Sequence, residues 1–378
     1  MAASANFKIR IFQPVVQEYR VALYEGLAER YGDRIEIWAA AKRGCDVSVP
    51  LTKMRYDYSH SIFKFSPFVW QRGFSLAGIG KGDVVVVCGD IHQLSSLWIA
   101  FKARLKGIKV VWWGHHKSST SNDACVFIRL CIARILSDVM LAYTVTGVKY
   151  LLKKGFSEGR VFATGNTINQ RPIKTAVSHW TSEKLRTWQD AKGISSNRLI
   201  LCCSMLRSKV QLDVIIRALS LGIIPSDVIM AVIGDGDKRT EWEDLAKELN
   251  VNDKIIWIGT TRDQEEMAPW FLSAKLFVYP GQIGLSILHA FSYGLPVVVH
   301  DNPEHQMPEY EVMEDGKTGR LFKENDVNDL SNVVNGLLAD EPARAKMSQY
   351  SREQAFTRYS MDNMISNFVN AIEAAAAL

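Results

Sequence analysis

Nowhere in these 378 residues is there an unbroken apolar run approaching the ~20 residues that a membrane-spanning helix needs, so no spanning segment is expected. The opening MAASANF passes directly into KIRIF without the apolar core of a secretory signal, so export is not expected. The six cysteines (45, 88, 125, 131, 202 and 203) show no metal-ligand spacing. That speaks against a zinc module and a disulfide framework, and reduced thiols in a cytosolic protein are the simplest account. No helix-turn-helix, RNP or zinc pattern accompanies the basic residues, so nucleic acid is not an expected partner. Repeats and low-complexity segments are missing, and the closing AAAAL reads as a vector-derived tail.

What remains is an ordinary globular composition, 47% hydrophobic and 22% charged, in a chain long enough for two domains. The formal net charge of +5 hides an asymmetry. Residues 1–170 hold 23 Lys and Arg against 12 Asp and Glu, a balance of +11, and residues 171–378 hold 22 against 28, a balance of −6. A basic half suits an anionic membrane surface or an acidic ligand.

Apolar runs at 8–13, 34–40, 83–89, 109–114, 139–144 and 161–164 read as strands. Helical spacing fills 16–31, 91–105, 123–137 and 145–154 between them. The alternation predicts a doubly wound parallel sheet. A polar stretch from 166 to 197 follows, with a connecting helix at 180–192. The pattern then restarts at 199–203, with strands at 228–233, 255–258, 276–279 and 297–300. The expected domains are 1–170, a linker at 171–198, a second domain at 199–358, and a C-terminal helix and tail at 359–378.

The richest segment is LFVYPGQIGLSILHAFSYGLPVVVH, residues 276–300. It reads as an apolar strand, a turn at Gly281, a helix opened by Gly284, Leu285 and Ser286, a Gly294-Leu295-Pro296 stop, and a second buried strand. A helix start presents free backbone N–H groups at the positive end of the dipole, suited to a phosphate or a sugar oxygen.

Gly284, Leu285, Leu288, Ala290, Gly294, Pro296, Val297 and Val298 fall in register with the donor-binding stretch of retaining GT-B glycosyltransferases of the GT4 type, which this chain resembles. The family's E-x7-E glutamates, which hold the donor sugar and the nucleotide ribose, fall on Gly281 and His289. A branch of the family with P-G-x-x-G-L and a His at the second site is the better match, and its Pro-Glu-Tyr-Glu segment corresponds to Glu309 and Glu311. The resemblance implies a fold of two Rossmann-like domains facing across a cleft, with the last helix crossing back to the first domain.

It also implies site residues. Lys209 matches the lysine that holds the donor diphosphate. Ser204 stands at the arginine position, and Arg207 is placed to supply that charge. Fixed cations can stabilise a departing diphosphate without a metal, so no cofactor and no metal dependence are expected. Thr260 follows the strand whose relatives border the nucleotide base. His115, at the tip of the strand 109–114, matches a histidine beside the donor sugar, with His116 in reserve on the acceptor side; Arg20 is a second acceptor-side candidate.

The expected activity is transfer of a sugar from a nucleotide diphosphate donor, with retention, to a saccharide or lipid-linked acceptor in bacterial surface-polysaccharide synthesis. The expected setting is the cytoplasm, with peripheral attachment to the inner face of the membrane. Helix 123–137, with Arg129 and Arg134 in an apolar run, reads either as a membrane-facing surface or as a buried helix with two snorkelling arginines. A catalytically silent nucleotide-sugar-binding protein and a nucleotide-sugar epimerase remain as alternatives.

Overall fold

The computed structural model describes residues 7–40, 56–57, 62–65, 67–114, 123–194 and 198–378. The chain divides into a first unit, residues 1–166 with 361–378, and a second, residues 167–360.

In the first unit the strands are β1 (Ile9–Val15), β2 (Ile35–Ala40), β3 (Tyr56–Asp57), β4 (Ile62–Phe65), β5 (Phe68–Gln71), β6 (Val84–Cys88), β7 (Lys109–Gly114), β8 (Val139–Ala142) and β9 (Val161–Ala163). Its helices are α1 (Val21–Tyr31), α2 (Leu94–Leu105), α3 (Asp123–Leu136) and α4 (Val145–Lys153). Seven strands form one parallel sheet in the order β3-β2-β1-β6-β7-β8-β9, and β4 and β5 pair separately as an antiparallel hairpin. The four valines of β6 and the Trp112–Trp113 pair of β7 are buried, as strands covered by helices on both faces require.

The second unit contains α5 (Arg171–His179), α6 (Ser182–Ala191), β10 (Arg198–Cys203), α7 (Leu212–Ser220), β11 (Val228–Ile233), α8 (Arg239–Glu248), β12 (Ile255–Gly259), α9 (Gln264–Ser273), β13 (Ala274–Tyr279), α10 (Ser286–Ser292), β14 (Val297–His300), β15 (Gly319–Phe322), α11 (Val327–Ala339) and α12 (Glu341–Phe356). Six parallel strands run in the order β12-β11-β10-β13-β14-β15. Short polar side chains start several of the helices: Asp263, Asp326 and Asp340 accept backbone N–H bonds of α9, α11 and α12 at 2.9, 3.0 and 2.9 Å.

Three features depart from the sequence reading. The stretch expected to be a linker with one connecting helix at 180–192 holds that helix, α6, and a second one ahead of it, α5, whose Ile173 and Ala176 are buried in the second unit's core. The helix expected from residue 16 begins at Val21, after a separate 3-10 turn at Glu18–Arg20. The closing alanines are part of the fold: α13 (Met361–Ala376) packs Met364, Phe368, Ile372 and Ala375 into the first unit's core, with Phe368 edge-on to Trp113 at 4.7 Å.

Candidate functional site

The strand order of the second unit reverses between β10 and β13, and open α/β sheets bind ligands at the carboxyl ends of strands flanking such a reversal. Three loops meet there. Ser204 N donates to Ile233 O (3.0 Å), Leu206 N to Asp235 O (2.9 Å) and Lys238 N to Leu206 O (3.1 Å), lacing the loop after β10 to the turn after β11. Gly236 allows this approach, since a Cβ there would stand 2.7 Å from the Leu206 carbonyl carbon.

On the other flank, Gln282 N donates to Lys209 O at 2.9 Å. A Cβ on Gly281 would fall 2.7 Å from the Val210 carbonyl carbon, and nearer still to Lys209 O. No side chain fits at Gly281 while that bond is kept, so the glutamate of the wider family is sterically excluded from this position. Ser204 Oγ and the Tyr279 hydroxyl, 3.1 Å apart, close the base of the shelf.

Arg207 and Lys209 stand on this shelf, on either side of Ser208, and both are exposed. Among the described residues neither side chain has a carboxylate or hydrogen-bond partner. The 3-10 turn Ser208–Val210 and the left-handed Gln211 (φ 52°) fix the backbone that carries them. The next turn carries an Asp-x-Asp sequence, Asp235 and Asp237. Asp235 is engaged by Arg239 at 3.2 Å and by Gly236 N at 2.7 Å. No group of three His, Cys, Asp or Glu among the described residues is arranged to hold a metal ion.

His289, on α10, is half-buried, its ring tilted against Phe271 with centroids 4.6 Å apart. Burial pushes its pKa down to about 4, so the ring is neutral at physiological pH. Its Nε2 lies 3.0 Å from Gln264 Oε1, which also accepts from the Tyr293 hydroxyl at 3.0 Å. An amide oxygen only accepts, so Nε2 carries the proton and Nδ1 keeps its lone pair. Gln264 is a positioning group that the sequence reading missed, because TRDQEEM offers no motif to mark it.

Gly284, Leu285 and Ser286 open α10, but that helix has only seven residues. Gln306 Oε1 accepts from Ile283 N at 2.8 Å just ahead of it. The carboxyl of Glu309, a buried side chain, lies 3.7 Å from where a Cβ on Gly284 would stand. The turn therefore offers acceptors for a hydroxyl rather than an open cradle for a phosphate. Thr260 is exposed, just past Gly259, whose carbonyl accepts from Gly234 N at 2.8 Å.

In the first unit, Arg20 is buried. Its guanidinium donates to Gln13 Oε1 (3.1 Å) and the Tyr143 hydroxyl (2.9 Å) and stacks over Trp113 at 4.3 Å. It joins the ends of β1, β7 and β8 rather than decorating a helix surface. His115 and His116 lie outside the described residues.

Residues 186–354 match the family described as glycosyl transferases group 1. The N-acetyl-alpha-D-glucosaminyl L-malate synthase of Bacillus anthracis is 23% identical over 180 residues, 47% of this chain and 45% of that protein. The poly(ribitol-phosphate) alpha-N-acetylglucosaminyltransferase of Staphylococcus aureus is 21% identical over 76% of this chain and 55% of its own length. The chain thus spans about half the length of these curated relatives. The crystal structure of Anabaena HepE in complex with UDP shares the fold at a TM-score of 0.74, with 14% identity, over 97% of this chain and 100% of that one. The fold is GT-B, built from two Rossmann-like domains.

Proposed function

We propose that this chain is a GT-B glycosyltransferase that moves a sugar from a nucleotide diphosphate donor, with retention of configuration, to a saccharide or lipid-linked acceptor. The setting is bacterial surface-polysaccharide synthesis at the inner face of the cytoplasmic membrane. The observation that carries the reading is the pair of uncompensated cations, Arg207 and Lys209, on a braced shelf where the strand order reverses, within the segment matching glycosyl transferases group 1.

The chemistry follows from charge. Breaking a sugar–phosphate bond leaves a diphosphate, and cations already held in place stabilise it without reorganising at the moment of reaction. Arg207 and Lys209 take that role, and no resident cofactor or metal is assigned. His289, neutral and with Nδ1 unprotonated, accepts a hydrogen bond from a ribose hydroxyl where relatives use a glutamate. Glu309, beside Gly284, takes over the sugar contact that Gly281 cannot make, and Leu285, Ser286 and Thr260 complete the donor side. His115 is assigned to the reacting centre, and Arg20 and His116 to the acceptor.

Thermal shift against a panel of UDP-, GDP-, dTDP- and CMP-sugars tests this reading, because a ligand that binds only the folded protein raises its melting point by mass action. One nucleotide class should stabilise the wild type, and Arg207→Ala with Lys209→Ala should lose most of that shift. Stabilisation by no nucleotide sugar would sink the proposal. Stabilisation without turnover on any saccharide acceptor would favour a silent binding protein.

A further inference from the structure

Six of the eleven exposed large apolar side chains among the described residues lie on just two helices that touch each other, α2 and α3. On α2 they are Trp98, Phe101 and Leu105, spaced three and four residues apart and therefore on one face; Leu105 is 72% exposed. On α3 they are Phe127, Ile128 and Ile135, with Phe127 and Ile135 each 68% exposed. The opposite face of α2, Ser95, Ser96, Ile99, Ala100 and Ala103, is buried. Scattered single apolar residues are ordinary on a protein surface, but a two-helix concentration of this kind marks a contact surface.

The charges beside the patch say what contacts it. Lys102 and Lys106 continue the α2 stripe, Lys102 lies over the Trp98 ring at 4.6 Å, and Lys81 adjoins the end of the helix at Gly107. α2 carries no acidic residue, and α3 carries only Asp123 at its start. A second copy docking on this face would bring a second set of lysines with no carboxylate on α2 to offset them. An anionic bilayer accepts both features, with aromatic rings at the headgroup level and lysines on the phosphates.

We infer that the α2–α3 face is a lipid-docking surface that inserts Trp98, Phe101, Leu105, Phe127, Ile128 and Ile135 into the interfacial layer of an anionic membrane. This deepens the membrane-associated reading proposed above. It also adds shallow insertion to the electrostatic attraction of the basic half. Arg129 is buried, and Arg134 donates to Lys154 O at 2.7 Å, so neither arginine of α3 anchors the face.

Sedimentation of the full chain with phosphatidylglycerol–phosphatidylcholine vesicles at low and high salt tests it, since screening weakens exposed charges but not apolar burial. Binding should fall with salt yet leave a resistant fraction. Trp98→Ser with Phe101→Ser should abolish that fraction and cut partitioning at least tenfold at low salt. Lys102→Glu with Lys106→Glu should reduce binding chiefly at low salt. Because all four side chains are exposed, circular dichroism and melting points matching the wild type serve as the folding control.

Unchanged partitioning in the Trp98/Phe101 variant, or complete release of the wild type by salt, overturns the inference. A concentration-dependent dimer lost in that variant would instead make the face a contact between copies, and that also overturns it. Vesicle binding is measured without donor or turnover. A chain that binds lipid and transfers nothing therefore sinks the transferase reading alone, and an active chain indifferent to vesicles sinks this one alone.

Discussion

Replacing Gly281 by alanine adds one methyl group at the tightest point of the candidate donor shelf. Its Cβ would fall 2.7 Å from the Val210 carbonyl carbon and closer still to Lys209 O, below the 3.0 Å that real Cβ contacts respect. Both opposing groups are backbone, so no rotamer change relieves the clash. The two loops must separate by roughly 1 Å, a displacement that can cost on the order of a hundredfold in rate when it misplaces a catalytic group. Overpacking of this kind costs about 1–3 kcal/mol of stability.

The Gln282 N to Lys209 O bond breaks or lengthens in the process, and Lys209 moves with its carbonyl. Gly281→Ala should therefore lose about 1–3 kcal/mol in a urea titration followed by tryptophan fluorescence, and roughly a hundredfold in transfer measured by nucleotide release. Gly284→Ala is the matched control. A Cβ there meets nothing nearer than 3.7 Å, so its stability should stay within about 0.5 kcal/mol of wild type. Restoring the wider family's residue with Gly281→Glu should hurt at least as much as alanine. Wild-type stability and activity in Gly281→Glu would refute the reasoning, because the shelf could then open without consequence.

Arg207→Ala and Lys209→Ala should each lower turnover by about ten- to a thousandfold, the range for one fixed electrostatic group. Both side chains are exposed, so melting points should barely move; undiminished turnover would remove them from the mechanism. His289 gives a pH signature. Its folded pKa of about 4 lies below the ordinary histidine value of 6.5, so the unfolded chain binds the extra proton first. Its contribution to stability is therefore intact above pH 6.5 and lost progressively as pH falls toward 4, and His289→Gln should flatten that part of a stability–pH curve. Product anomers assigned by NMR should show retention, and transfer should survive EDTA; an inverted product or strict metal dependence would contradict the respective half of that expectation.

The strands were legible because parallel strands buried on both faces are continuous apolar runs. Val84–Cys88, Val228–Ile233 and Val297–His300 announce themselves that way. β15, Gly319–Phe322, did not, since a short edge strand with an exposed Arg320 carries only two large apolar residues. Helix α5 was hidden because its buried residues, Ile173 and Ala176, are too few to set a period. In the candidate site, residue types were readable and their contacts were not. Gly281 is visible in the sequence, but the carbonyls that forbid a side chain come from residues 209 and 210, some seventy positions away. Arg20 reads as an acceptor-side candidate, and only the fold places it against Trp113 and Tyr143. Glu309 was singled out by position, while its burial beside Gly284 depends on a 3-10 turn at Pro308–Val312.

The return of α13 to the first unit has a consequence for biosynthesis. Residues 7–166 emerge from the ribosome first, yet the core formed by Trp113 and Leu141 of their sheet and Tyr24 of α1 is completed by Met364, Phe368 and Ile372, made only after the whole second unit. A domain generally folds as it is completed. Here the earlier-made half must wait, with an apolar face open, while the later-made half can finish on its own. The order of folding is thereby reversed from the order of synthesis, and the interval is when this chain is most exposed to aggregation and most in need of a chaperone. A stop codon at Ser360 would make that interval permanent.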